Sequence, residues 1–298
     1  MGTCELIDTF PAFLTCWAKA REKHLDDQIE SWATDYMAPW PELLRKQIED
    51  YSGQHLDWQQ VAREKVFPYL EERLPQMHQA QQNLLALSEP IYAKAQQALG
   101  FDSQAIFFIY VGIGCGAGWA TMLDRTPSVL FGLENIAESG WSSPEALKGL
   151  IAHEIAHLAH HIWRRRHGKS IGSEAWWQLY EEGVAEYGES LIFNSATRHH
   201  TSGGQSDWLN WCRDHKQWLA AKFVQTVDAG KPVTPFFGSW YDICGRSETG
   251  YFLGYEAIEA MARRLTLREI ALLDDPGLHL RPILEEWISA GEQSRSGE

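Results

Sequence analysis

The amino-acid sequence predicts an α+β protein that is mostly helical and contains a short β-sheet. In residues 1–100, apolar side chains recur at spacings of three and four residues, the period of an amphipathic helix. The pattern changes at residues 105–111 (AIFFIYV) and 128–134 (SVLFGLE), which are short runs of β-branched and aromatic residues typical of strands. We therefore expect an all-helical N-terminal region over residues 1–100, followed over residues 101–298 by a domain with a short sheet and a helical C-terminal part.

Composition and charge narrow the possible partners and the compartment. The chain has 26 Lys and Arg against 40 Asp and Glu, a formal net charge of −14, which disfavours nucleic acids and anionic membranes and favours a soluble partner. Its five cysteines lack CxxC spacing, so they support neither a disulfide framework nor a cysteine zinc site. No signal peptide pattern begins the sequence, and no run reaches the ~18 to 20 apolar residues of a membrane helix. These features predict a cytoplasmic protein and leave its oligomeric state open.

Three segments between residues 77 and 144 contain residues typical of helix ends or turns. Residues 77–100 form a strong helical pattern that ends on Gly100, and glycine is favoured just past a helix end. Glycines then alternate in GIGCGAG, residues 112–118. A phosphate-binding loop is one interpretation, but no P-loop lysine follows, so a turn between strands is the expected role. Ser143 and Pro144 are typical of the start of a helix.

The segment LIAHEIAHLAHH contains the pattern HExxH. His153 and His157 are four residues apart and leave the same side of one helix, so both imidazoles can bind one metal ion. Glu154 lies about 100° round the helix from His153, which places its carboxylate beside the metal, where a general base acts. The alternative is a helix with two surface histidines. His160, His161 and His167 follow, and we expect them at the surface or behind the metal ligands.

The segment YEEGVAEYGE, residues 180–189, offers candidates for a third ligand. It follows His157 after enough residues for a second helix to return beside the first. Glu182 and Glu186 are four residues apart on one face, and Gly183 removes a side chain where two helices would approach closely. One carboxylate can bind the metal while the other accepts a hydrogen bond from a ligand histidine. The alternative is a solvated helix face. Together the motifs predict one Zn²⁺ per chain, bound by His153, His157 and Glu182, with Glu186 behind them.

These motifs resemble known families. HEIAH followed by EEGVAE resembles the gluzincins, in which a glutamate from a following helix joins the two HExxH histidines on zinc. The segment TGYFLGYEAIEAMARR, residues 249–264, resembles the GYxxGY segment of a bacterial family of predicted zinc-dependent proteases. This resemblance covers residues 106–265 and implies a zincin-like catalytic domain with an active-site helix. It implies that Tyr251 or Tyr255 donates a hydrogen bond to the oxyanion, whereas the alternative is that both tyrosines only pack.

A weaker resemblance concerns the second predicted strand. In gluzincins a strand near the HExxH helix forms the edge to which a peptide substrate adds, and the resemblance implies this role for residues 128–134. Residues 132–135 (GLEN) are similar to part of the GAMEN segment of zinc aminopeptidases, which implies that Glu134 binds the free α-amine of a substrate. An ordinary carboxylate at a strand end is the alternative.

The expected function is that of a zinc-dependent hydrolase, a metallopeptidase that cleaves peptide bonds with Glu154 as general base. Two alternatives remain open from the sequence. One is a non-catalytic peptide-binding or regulatory protein on a zincin scaffold. The other is a zinc hydrolase that acts on a non-peptide amide or ester. The sequence does not separate exopeptidase from endopeptidase activity.

Overall fold

A computed structural model describes residues 2–194, 207–238 and 240–295. The chain is α+β and mostly helical, with one small mixed sheet, as the sequence predicts. Contacts divide it into two compact units, one formed by Met1–Gln96 and Asp102–Glu154 and the other by Gln97–Phe101 and Ile155–Glu298. These units do not follow the predicted boundary at residue 100, because the start of the chain pairs with a strand that lies beyond that residue.

The sheet of the first unit has the strands β1 (Cys4–Asp8), β2 (Ala105–Tyr110), β3 (Gly118–Leu123) and β4 (Thr126–Gly132) in the order β1-β2-β4-β3. β2 pairs in parallel with β1 and β4, and β3 pairs antiparallel with β4. Both predicted strands are present. However, β4 is an internal strand, so residues 128–134 do not form the sheet edge that the resemblance implies for them. The two edges of the sheet are β1 and β3.

The expectation of an all-helical N-terminal region was wrong at β1. The sequence CELID is only five residues long, and its apolar residues Leu6 and Ile7 are adjacent, so it shows no clear strand period. Its partner is about a hundred residues away, with Cys4 opposite Ala105 and Asp8 opposite Ile109. A strand is formed here by tertiary pairing, which local periodicity does not reveal.

The helices of the first unit form an aromatic core in which Phe10, Phe13, Trp32, Tyr36 and Phe67 are buried. The long helix α5 (Leu70–Leu99) continues through Pro75 and Pro90 and ends before Gly100, which has a φ of 68°. Its start therefore lies earlier than the predicted residue 77. The helices are α1 (Phe10–Ala20), α2 (Leu25–Ser31), α3 (Pro41–Gly53), α4 (Trp58–Val61), α5 (Leu70–Leu99) and α6 (Leu133–Glu138), with short π-helical turns at Trp32–Tyr36 and Ala62–Val66.

The helix α7 (Pro144–Arg166) carries HExxH and begins as predicted, because the Ser143 hydroxyl accepts a hydrogen bond from the amide of Ala146 at 3.3 Å. The remaining helices are α8 (Ala175–Phe193), α9 (Trp208–Asp214), α10 (Lys216–Asp228), α11 (Thr249–Ala262), α12 (Leu267–Ala271) and α13 (Gly277–Arg295). Among the residues that the structure describes, no helix is long and apolar enough to cross a membrane.

Two glycines bring α8 close to its neighbours. A Cβ on Gly188 would lie 2.5 Å from Cβ of Ala156 on α7. A Cβ on Gly183 would lie 2.5 Å from the carbonyl oxygen of Gly254 on α11. A close helix approach is therefore present at Gly183, but its partner is α11 and not the HExxH helix beside which the sequence predicted it. Gly188 is the glycine of α8 that faces α7.

Candidate metal centre

The three predicted zinc ligands lie together on α7 and α8. One ligand atom from each of His153, His157 and Glu182 lies within 4.8 Å of the other two. Nε2 of His157 is 3.1 Å from Oε2 of Glu182, and both histidines are buried. In a tetrahedral zinc site with bonds of about 2.0 to 2.1 Å, neighbouring ligand atoms lie about 3.4 Å apart. The 3.1 Å between His157 and Glu182 is close to this separation, and two imidazoles with one carboxylate are a ligand set known from catalytic zinc ions.

Glu154 directly follows His153 in the sequence and is buried. Its carboxylate is hydrogen-bonded to the edge strand β3. Its Oε2 accepts a hydrogen bond from the amide of Ala120 on β3 at 2.9 Å. Gly118 of the same strand leaves room for the carboxylate, because a Cβ there would lie 2.4 Å from Oε1 of Glu154. The contact between this strand and Glu154 was not predicted. The sequence signal at this position is Gly118 itself, which continues the alternation of the three preceding glycines.

Glu181 turns away from Glu182 and has its own partners. It accepts hydrogen bonds from Nε2 of His161 at 2.7 Å and from the indole of Trp177 at 3.0 Å. Burial raises the pKa of Glu181, but the His161 hydrogen bond and the charges of the neighbouring histidines lower it to about 2. The partner of Glu181 is therefore His161 and not His157. Oε1 of Glu181 lies 3.9 Å from Nδ1 of His157, which is beyond hydrogen-bond distance.

His160 departs from the expectation for the histidines that follow HExxH. It is fully buried, stacks on Trp177 at a centroid distance of 6.0 Å and meets the Tyr180 ring edge at 5.2 Å. Neither ring nitrogen has a hydrogen-bond partner among the described residues. Burial, with a smaller effect from nearby positive charge, lowers the pKa of His160 to about 3, so it packs as a neutral aromatic ring. His167 is exposed, as expected.

A second group of possible ligands adjoins the first on α8. His153, Glu186 and Glu189 each offer one atom within 4.8 Å of the others, and all three are buried. Because a histidine has two ring nitrogens, this grouping is compatible with Glu186 as the carboxylate behind a ligand histidine. Glu189 was not assigned a role from the sequence, although its spacing from Glu182 and Glu186 places all three on one helix face.

The two tyrosines of α11 have partners in their own neighbourhood. The Tyr255 hydroxyl donates a hydrogen bond to Oε1 of Glu259 at 2.9 Å, and its ring lies 5.9 Å from that of Tyr187. The Tyr251 ring contacts the Phe237 ring edge-on at 5.6 Å. Their role as oxyanion donors remains a prediction.

Glu134 lies in the first turn of α6 and is fully buried. Its carboxylate accepts hydrogen bonds from the amides of Gly112 at 2.7 Å and Gly114 at 3.2 Å. Burial raises the pKa of Glu134 to about 7, although these hydrogen bonds act in the opposite direction. Residues 112–118 connect β2 with β3, which confirms the predicted turn. The binding of a substrate amine by Glu134 remains a prediction.

A cleft of about 560 Å³ lies in the second unit, where Leu99, Trp163, Tyr187, Leu191 and Leu265 contribute to its lining. None of the candidate metal ligands lines it. The candidate metal centre is therefore defined by its side chains and not by this cleft.

Comparison with known proteins found no family model, no curated protein and no solved structure that matches the chain.

Proposed function

We propose that the chain is a zinc-dependent hydrolase of the gluzincin type, a metallopeptidase that cleaves peptide bonds. The observation that carries this proposal is the approach of His153, His157 and Glu182 to within 4.8 Å of one another, directly beside the carboxylate of Glu154 in sequence. The ligand set would hold one Zn²⁺. When bound, the ion supplies Lewis-acid chemistry that acidifies water and polarises a carbonyl group.

Glu154 is the proposed general base. It would take a proton from the attacking water and deliver that proton to the leaving amine, which becomes a neutral product. The Ala120 amide donates a hydrogen bond to Oε2 of this carboxylate at 2.9 Å and so fixes its position. Because Glu154 is needed for turnover and not for metal binding, its presence favours catalysis over a purely binding role.

The edge strand supports a peptide as the substrate. β3 is paired with β4 along one side, and the Ala120 amide is directed to Glu154 instead of to β4. The outer side of β3 therefore faces the general base. An extended peptide that adds to this side would run past Glu154 with its backbone hydrogen-bonded to the strand. Tyr251 or Tyr255 is the proposed donor to the oxyanion, as the resemblance implies.

Cleavage of a peptide library by the purified protein, read by mass spectrometry with and without a zinc chelator, tests the function. We expect about one zinc per chain by elemental analysis and cleavage that the chelator abolishes. Glu154→Gln should keep zinc and lose turnover, whereas the exposed Glu145→Gln should keep both. Full activity of Glu154→Gln would exclude the mechanism. Zinc binding without cleavage of any peptide, but with cleavage of simple esters or amides, would point to a non-peptide substrate.

A further inference from the structure

The alternating glycines of residues 112–118 present their amides to one end of α6. Gly112 and Gly114 donate to the Glu134 carboxylate at 2.7 and 3.2 Å, and Gly116 donates to Oδ1 of Asn135 at 3.3 Å. Backbone amides that converge in this way form a nest that favours negative charge, and here the group in the nest is the Glu134 carboxyl group of the chain itself.

Two buried carboxylates explain why the first and the last of these positions are glycine. A Cβ on Gly112 would lie 2.6 Å from Oε1 of Glu134, and a Cβ on Gly118 would lie 2.4 Å from Oε1 of Glu154. Between them, Gly114 and Gly116 have φ angles of 91° and 141°, which side chains rarely allow. The loop thus accommodates a buried carboxylate at its beginning and the proposed general base at its end.

Aromatic residues hold the carbonyl groups of the same loop. The Trp32 indole donates to the Val111 carbonyl at 2.9 Å, and the Tyr51 hydroxyl donates to the Ile113 carbonyl at 2.8 Å. All of these anchors lie in the first unit, together with β3 and Glu154. The loop is therefore fixed on both sides before it enters β3, whose Ala120 amide binds Glu154.

We propose that Glu134 and Asn135 are positioning residues that hold Glu154 in its reactive orientation by fixing this glycine loop and, through it, β3. The inference rests on the proposed function, in which Glu154 is the general base. It differs from an amine-binding role for Glu134, because both carboxylate oxygens already accept backbone amides. A positioning role affects every substrate alike, whereas an amine anchor affects only substrates with a free α-amine.

Glu134→Gln tests the proposal because an amide side chain has one accepting oxygen, and its NH₂ group would face the second glycine amide. In the metal-free chain, we expect hydrogen exchange at Gly112, Gly114 and Ala120 to rise about 10-fold or more. In the zinc-loaded chain, kcat should fall about 10-fold or more, with zinc content and KM unchanged. The loss should be equal for a peptide and its N-acetylated form. Glu145→Gln is the matched control and should change neither quantity.

Unchanged exchange and kcat in Glu134→Gln would overturn the proposal, and so would a loss confined to peptides with a free amine. If Glu134→Gln does not fold, Asn135→Leu removes the acceptor of Gly116 together with the hydrogen bond that Asn135 Nδ2 donates to Glu138 at 3.3 Å. Faster exchange at Gly116 and Ala120 is then the expected result. Unchanged exchange there would contradict the proposal. The exchange measurements do not depend on turnover, so failure of the peptidase proposal, seen as full activity of Glu154→Gln, is distinguishable from failure of this one.

Discussion

Gly183 and Gly254 lie backbone against backbone where α8 crosses α11. A Cβ on either residue would lie within 2.5 to 2.9 Å of backbone atoms on the other helix. Gly183 directly follows the proposed ligand Glu182, and Gly254 directly precedes Tyr255. The crossing therefore joins the segment that contains Glu182 and Glu186 to the segment that contains Tyr251 and Tyr255.

Gly183→Ala should destabilise the protein by about 1 to 3 kcal/mol, because the added methyl group meets a backbone carbonyl that cannot move independently of its helix. This cost exceeds the ~0.5 to 1 kcal/mol that alanine gains over glycine inside a helix. Denaturant unfolding measures the difference. Gly53→Ala, where a Cβ meets nothing within 4 Å, is the control and should not destabilise. Equal stabilities of the two variants would show that the helices separate easily.

Metal titration of alanine variants tests the assignment of the α8 carboxylates. Glu182→Ala should remove tight zinc binding, since two ligands hold the ion far less well than three. Glu186→Ala should weaken binding by about 10- to 100-fold, as changes behind a ligand do. Glu181→Ala should retain zinc, because its hydrogen bonds go to His161 and Trp177. Loss of zinc in Glu181→Ala with retention in Glu182→Ala would contradict the site.

His160 should make the stability depend on pH. Its folded pKa is about 3 and lies below the ordinary value near 6.5, so the unfolded chain binds a proton that the folded chain excludes. The stability contributed by neutral His160 is complete above about pH 6.5 and is lost as the pH falls towards 3. His160→Phe keeps an aromatic ring against Trp177 and cannot be protonated.

Thermal unfolding between about pH 7 and 4 measures this effect. We expect the difference between His160→Phe and the parent chain to shift in favour of the variant as the pH falls. His279→Phe, at an exposed position of α13, should follow the parent chain. Parallel curves for His160→Phe and the parent would contradict the prediction, because they would mean that the pKa of His160 is the same in the folded and the unfolded chain.

Gly118→Ala should displace the proposed general base while leaving the metal ligands unchanged. The added Cβ would lie 2.4 to 2.6 Å from the carboxylate and Cγ of Glu154, so this side chain must move. General-base catalysis contributes about 10² to 10⁴ in rate, and we expect kcat to fall at least about 10-fold with one zinc retained. Gly53→Ala is again the control. A Gly118→Ala variant with full activity would show that the orientation of Glu154 is not critical.

The parts of the candidate site that lie on helices could be predicted from the sequence. The helical period alone places His153 and His157 on one face and Glu182 with Glu186 on another, and Gly183 indicates a close helix crossing. The composition of residues 105–111 and 128–134, which are rich in β-branched and aromatic residues, also identifies β2 and β4.

The parts that depend on strand pairing could not be predicted. β3 reads GWATML, a mixture without a clear period, and its role as edge strand depends on the order of the sheet. The contact of Ala120 with Glu154 and the burial of Glu134 under the glycine loop join residues that are far apart in sequence. Fold topology determines such contacts, and a single sequence carries no local trace of them.

The parallel pairing of β1 with β2 has a consequence for synthesis on the ribosome. Cys4 pairs with Ala105, so the first strand emerges long before its partner. At about 5 to 20 residues per second, the wait lasts about 5 to 20 seconds. During this interval α1 to α5 can form from local contacts, while β1 stays unpaired. Completion of the sheet should therefore be a late step in folding, and a nascent chain halted near residue 100 should expose β1 to chaperones.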